Sequence, residues 1–120
     1  MKTEDFVTYE QAVALKKLGF DWRLNQYYTD KGSLIYDAFA DNFNVGSGSA
    51  SAPTLSQAQK WLFEKGYFVE VNWFYTGTYY FSVVHLNNPK VTCVPNEDDY
   101  STPTEALLAG ITECLKLLEK

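Results

Sequence analysis

The sequence predicts an α+β fold: two layers, with a mainly antiparallel sheet of four or five strands and three helices mostly on one face of it. Three observations predict this. The pattern Thr-x-x-[Gln/Glu]-Ala occurs at Thr8–Ala12, Thr54–Ala58 and Thr102–Ala106. Between these points lie two β-rich segments, each holding a turn glycine, Gly32 and Gly77. The second segment, Phe68–Leu86, is the longest apolar, β-branched and aromatic run in the chain, broken only by Gly77. The expected order is α-β-β-α-β-β-(β)-α, in a single domain over residues 1–120.

The repeated pattern is a capping box. The Thr hydroxyl accepts from the amide three residues on, and the Gln or Glu side chain reaches back to the Thr amide. The first helix is expected from about Tyr9 to Leu18, with Ala12, Leu15 and Leu18 as its apolar stripe. Lys16 and Lys17 suit its last turn, where the helix dipole favours cations. Gly19 supplies a left-handed C′ residue, and Phe20 folds back onto the last turn. Leu24–Thr29 and Ser33–Tyr36 then flank Asp30-Lys31-Gly32 as a hairpin.

Asp41–Ser51 is small and polar, and is expected to be the most flexible stretch, separating two halves. Its Gly46-x-Gly48 is a weak phosphate-loop signal, since no Lys follows it and no buried strand leads into it. The second helix is expected from about Leu55 to Lys65, with Leu55, Ala58 and Leu62 inward and Phe63 partly exposed. Gly66-Tyr67 repeats the Gly19-Phe20 ending. After the Phe68–Leu86 hairpin, Asn87-Asn88-Pro89 reads as a turn, Val91–Val94 as a short edge strand stopped by Pro95, and Asn96–Tyr100 as a polar loop. The third helix, about Pro103 to Glu119, carries Leu107, Ile111, Cys114 and Leu118 on one stripe. Gly110 lies near that stripe and allows close packing.

The two halves resemble each other. Gly19-Phe20 and Gly66-Tyr67 are 47 residues apart, as are Tyr28-Thr29 and Tyr75-Thr76. Duplication and convergent packing both account for this.

With 120 residues, 46% of them hydrophobic, the chain can bury a core without a metal or disulfide staple. A net charge of −5 opposes binding to a nucleic-acid backbone, which needs a clustered positive surface. Cys93 and Cys114 fit neither a zinc nor a CxxC spacing. The N-terminus lacks an apolar signal core, and no run reaches the roughly 20 apolar residues of a membrane span. These features imply a cytoplasmic protein with reduced thiols and no membrane partner, and nothing in them implies a cofactor or a small-molecule ligand.

Three segments carry a resemblance: Thr8–Asp21 (TYEQAVALKKLGFD), Ala52–Gly66 (APTLSQAQKWLFEKG) and the C-terminal TPTEALLAGITECLKLL. They resemble a family of small uncharacterised proteins encoded in gut Bacteroidales genomes, their phages and integrated mobile elements. The resemblance covers most of the chain and is clearest at the two Gln-containing capping boxes. It implies a context, a phage or mobile-element gene acting in the bacterial cytosol. It implies no activity, so no catalytic residue carries over.

No catalytic or metal-binding residue is assigned. A triad would have to use His85, the only histidine, with Cys93 or the acids Asp37, Asp41 and Glu97–Asp99. A lone His near a strand end is more often structural, and Glu97–Asp99 lacks the alternating ligands of a calcium loop. Cys114, on the third helix's stripe, reads as a buried small hydrophobe.

The aromatic hairpin offers the better candidate. On Phe68–Thr76 the odd positions, Val69, Val71, Trp73 and Tyr75, face inward. Two registers are open. Tyr75 opposite Tyr79 adds Tyr79, Phe81 and Val83 to that face; Tyr75 opposite Thr78 adds Tyr80, Ser82 and Val84. Hydrophobic segregation favours the first, in which Phe74 and Tyr80 pair on the outer face. The function expected is therefore a non-enzymatic interaction or accessory module, binding another protein or itself through Phe74 and Tyr80. One alternative is a single-strand nucleic-acid binder using the same aromatic face. The other is a small enzyme around His85.

Overall fold

The computed structural model describes residues 5–74, 77–88, 92–93 and 100–119. Its elements run α1 (Tyr9–Lys17), β1 (Leu24–Thr29), β2 (Leu34–Asp41), β3 (Ser49–Ser51), α2 (Leu55–Glu64), β4 (Tyr67–Phe74), β5 (Thr78–His85), β6 (Thr92–Cys93) and α3 (Pro103–Leu118). The α+β class holds, and all three helices start where the repeated pattern places them. The strands form two antiparallel sheets of three, ordered β2-β1-β3 and β4-β5-β6, rather than one sheet of four or five. Each hairpin takes its third strand from its own part of the chain: β3 adds to β1, and β6 adds to β5. The chain divides into two compact units, Met1–Ser56 and Gln57–Lys120.

In the first unit, the Thr8 hydroxyl accepts from the Gln11 amide at 3.1 Å and the Gln11 side chain accepts from the Thr8 amide at 3.0 Å, completing the capping box. At the other end of α1, the Gly19 amide donates to Lys16 and the Phe20 amide to Leu15. This is the paired C-terminal motif that a left-handed glycine permits, and Gly19 has φ of 95°. Phe20 is buried as a result. β1 alternates as its sequence suggests: Leu24, Gln26 and Tyr28 are buried, and the Tyr28 hydroxyl donates to the Val7 carbonyl at 2.6 Å.

The Asp41–Ser51 segment is not a loose linker. Asn44 Nδ2 donates to the Phe20 carbonyl at 2.8 Å, and the Ser51 amide donates to Asn44 Oδ1 at 2.8 Å. Ser49 Oγ donates to the Phe43 carbonyl, and the Phe43 amide to Ser51 Oγ. Small polar side chains suit a flexible stretch, but here they supply the hydrogen bonds that fix the loop. Its last residues form β3, which pairs with Tyr27–Thr29 of β1.

In the second unit, α3 packs on β4 and β5. Gly110 makes the closest approach, as its place near the stripe suggests: a methyl group there would lie 2.7 Å from Val69 Cγ1 and 3.1 Å from Phe81 Cβ. Val69, Phe81, Val83, Ile111, Cys114 and Leu115 are buried. The Thr102 hydroxyl accepts from the Glu105 amide, but the Glu105 carboxylate receives the Ser101 amide at 3.3 Å.

The β4–β5 register differs from both expected ones. Phe74 lies opposite Thr78, Asn72 opposite Tyr80 and Trp73 opposite Tyr79. The faces are those of the favoured register, displaced by two residues. Gly77 explains the displacement. A three-residue hairpin connection requires a left-handed residue in its third position, and Gly77 has φ of 89°. Gly32 plays the same part between Thr29 and Ser33, with φ of 83°. Tyr75 and Thr76 lie outside the described residues. The expected strand Val91–Val94 is present as β6 at Thr92–Cys93; the acidic Glu97–Asp99 run lies outside the described residues.

Candidate interaction surface

β2 is the outer strand of its sheet, and most of its side chains are exposed. The strand expected to end at Tyr36 continues to Asp41 through a bulge. Gln26 pairs with Tyr36 and Leu24 with Asp41, so Asn25 alone faces residues 37–40. The bulge is braced. Asn25 Nδ2 donates to the Asp37 carbonyl at 3.1 Å, Arg23 Nη2 donates to the Ala40 carbonyl at 2.9 Å, and the Phe39 amide donates to Asp37 Oδ1 at 3.0 Å. Phe39 is held within this bulge and is 82% exposed. Tyr36, at 54%, rests one ring edge on Phe6, and Ile35 is 38% exposed. Val45, in the hydrogen-bonded loop before β3, is 80% exposed. Large apolar side chains left in water on braced backbone are the unusual feature of this unit.

The backbone of β2 is directional as well. In an antiparallel ladder, the N–H and C=O of one residue point to the same side, and successive residues alternate. The Thr29 amide donates to the Ser33 carbonyl, so Ser33 and Ile35 turn towards β1. The Ala52 amide donates to the Gln26 carbonyl, so Gln26 turns towards β3. Leu34 and Tyr36 therefore direct their N–H and C=O groups outward, and among the described residues nothing pairs with them.

On the hairpin face expected from the sequence, Tyr80 is half-buried and lies opposite Asn72, not Phe74. Phe74 and Tyr80 remain diagonal neighbours on one face; the Phe74 side chain lies outside the described residues. That same face holds a hydrogen bond from Ser82 Oγ to Glu70 Oε1 at 2.8 Å, and Phe68, which meets Phe63 edge-on. Trp73 keeps the face of Val69 and Val71 but is 64% exposed. α3 covers that face at Val69 and Phe81, and Tyr100 bridges Tyr79 on the β5 side, which leaves Trp73, opposite Tyr79 on β4, in solvent.

His85 ends β5 opposite Tyr67, whose ring it meets edge-on at 4.8 Å. Its Nδ1 is buried and has no hydrogen-bond partner among the described residues. The Cys93 side chain and Glu97–Asp99, which the sequence offered as partners for His85, lie outside the described residues. The described residues do not group three or more His, Cys, Asp or Glu side chains around a metal position. Cys114 is buried, and burial pushes its thiol up to about 12. The Gly46–Ser49 loop turns carbonyls, not amides, to a cation: Lys16 Nζ donates to Gly46 at 2.5 Å and Ser49 at 2.6 Å. Lys16 also lines a cleft of about 290 Å³ with Tyr9, Val13 and Asp30. Among the described residues, no helix is long and apolar enough to cross a membrane.

No protein-family model, curated protein or solved structure matches this chain.

Proposed function

We propose that this chain is a non-enzymatic protein-interaction module, an accessory protein of phage or mobile-element origin that acts in the bacterial cytosol. The observation that carries the reading is that large apolar side chains of the first unit stand in solvent on hydrogen-bonded backbone: Phe39 in the braced bulge of β2, Tyr36 on the same strand, and Val45 in the loop before β3. An exposed ring on mobile backbone loses entropy when it is bound. A ring on a backbone already tied by hydrogen bonds loses less, so it suits an anchor at an interface. The outer hairpin face, with Phe74 and Tyr80, is a second surface of the same proposal. The acidic balance favours a protein partner over nucleic acid on either surface.

The test compares three purified proteins, the wild type, Phe39→Ser and Phe74→Ala/Tyr80→Ala, in self-association and in retention of one defined partner from the native host. Loss of association in Phe39→Ser with an unchanged melting temperature supports the first-unit surface. Loss only in the hairpin variant moves the site to Phe74 and Tyr80. A wild type that neither self-associates nor retains a partner overturns the reading.

A further inference from the structure

We infer that the outer edge of β2 pairs with the β2 edge of a second copy of this chain, antiparallel, about a two-fold axis at Ile35. This names the partner of the first-unit surface and rests on the interaction reading above.

The outward groups of Leu34 and Tyr36 supply two amides and two carbonyls at strand spacing. An extended backbone satisfies all four at once. β4 is a weaker edge, because Gln59 Nε2 already donates to the Val69 carbonyl there at 2.9 Å. On β2, centring the pairing on Ile35 sets Leu34 against the partner's Tyr36 and Ile35 against the partner's Ile35. Each hydrogen-bonded contact then occurs twice, as a closed two-fold interface requires.

Charge selects this orientation. A parallel, in-register pair would set Asp37 on the partner's Asp37, and like charges directly opposite are destabilising. The antiparallel pair instead carries the 30–32 turn of each copy past the 37–41 half of the other. Lys31 and Asp30, both exposed in that turn, then approach Asp37 and Asp41 of the partner subunit, so one attraction and one repulsion replace the like-on-like pairs of the parallel arrangement. Ile35, with no charge, occupies the axis. The bulge after Tyr36 breaks the ladder, so the pairing is short and the dimer is weak and concentration-dependent.

Two charge variants at the axis test this. Ile35→Lys and Ile35→Asp each set like charges face to face across the two-fold, at a position already partly exposed in one copy. Sedimentation equilibrium over the micromolar range is expected to show a reversible wild-type dimer and two monomeric variants with wild-type circular dichroism. An equal mixture of the two variants is expected to re-form a heterodimer, read by native mass spectrometry. Amide exchange at Leu34 and Tyr36 in the wild type is expected to slow as concentration rises, a readout that does not depend on either variant folding. A wild type that stays monomeric at every concentration overturns self-pairing but leaves a different protein partner standing. A dimer that persists in both variants, or a wild-type dimer without concentration-dependent protection at Leu34 and Tyr36, overturns the edge assignment itself. Failure of folded variants to recombine overturns the register.

Discussion

A methyl group at position 110 would meet Val69 Cγ1 at 2.7 Å and Phe81 Cβ at 3.1 Å, closer than such atoms normally pack. Gly110→Ala should gain about 1 kcal/mol in helix propensity and lose more to overpacking, which costs about 1–3 kcal/mol. A net destabilisation of about 1 kcal/mol is expected in urea unfolding. Adding Val69→Ala should recover part of it, read as a coupling energy in the double-mutant cycle. Cys114 gives a pH prediction. Its folded-state thiol is pushed up to about 12 by burial, from an ordinary value of 9.0. Between those values the unfolded chain has lost a proton that the folded chain keeps, so stability falls as pH rises through the window and is intact below it. Burial raises the Tyr28 hydroxyl too, which adds to the loss in the same direction above its ordinary value of 10.0. Cys114→Ala should flatten the alkaline decline, and native Cys114 should resist alkylation near pH 8 until the chain unfolds. Both residues were legible because Gly and Cys stand on or beside a regular apolar stripe. Phe39 and Trp73 were not, since no periodicity records how far a neighbouring helix reaches or which residue a bulge displaces.

The helices were legible because each start is written in four or five contiguous residues. Thr8→Ala removes the hydroxyl that accepts from Gln11 and orphans the reciprocal arm, for an expected cost of about 1 kcal/mol. Thr102→Ala should cost less, because the Glu105 carboxylate already binds the Ser101 amide instead of Thr102. A comparison of the two melting temperatures checks the ranking. Hairpin faces were legible from alternation, but register was not, because alternation repeats every two residues and leaves a two-residue displacement unresolved. Turn chemistry resolves it: the left-handed glycine belongs third in the connection, at Gly32 and at Gly77 alike. Gly77→Ala should therefore destabilise by about 1–2 kcal/mol, the cost of a left-handed residue with a Cβ, although nothing lies within 4 Å of the added methyl. The Asp41–Ser51 loop was misread for a related reason. Asn and Ser are common both in slack linkers and in loops tied by their own side chains, and composition does not separate the two.

At the scale of the chain, the similarity of the two halves does not extend to topology. The strand after the helix is central in the first sheet, β2-β1-β3, and outermost in the second, β4-β5-β6. The matched Tyr-Thr pairs add nothing to that comparison: Thr29 ends β1, and Tyr75 and Thr76 lie outside the described residues. Two similar solutions to packing a helix on a hairpin account for this difference better than a copied unit. The surface was the least legible level. Exposure is a property of the assembled chain, and the sequence favoured the hairpin face; among the described residues the most exposed rings are Phe39 of β2 and Trp73 near the hairpin tip. Phe39→Ser, which removes a ring from solvent and not from the core, should leave the melting temperature nearly unchanged while reducing association.

The glycine-closed hairpins also bear on the order in which the chain assembles. β1 with β2, and β4 with β5, join residues only a few positions apart, and such hairpins form in about 1–10 microseconds. Seating Gly110 of α3 against Val69 instead closes a span of 41 residues and comes at greater entropic cost. If the hairpin forms early and α3 docks late, Gly110→Ala should refold at nearly the wild-type rate and unfold faster, with its whole effect in the unfolding limb of the chevron. Gly77→Ala should do the reverse and slow refolding.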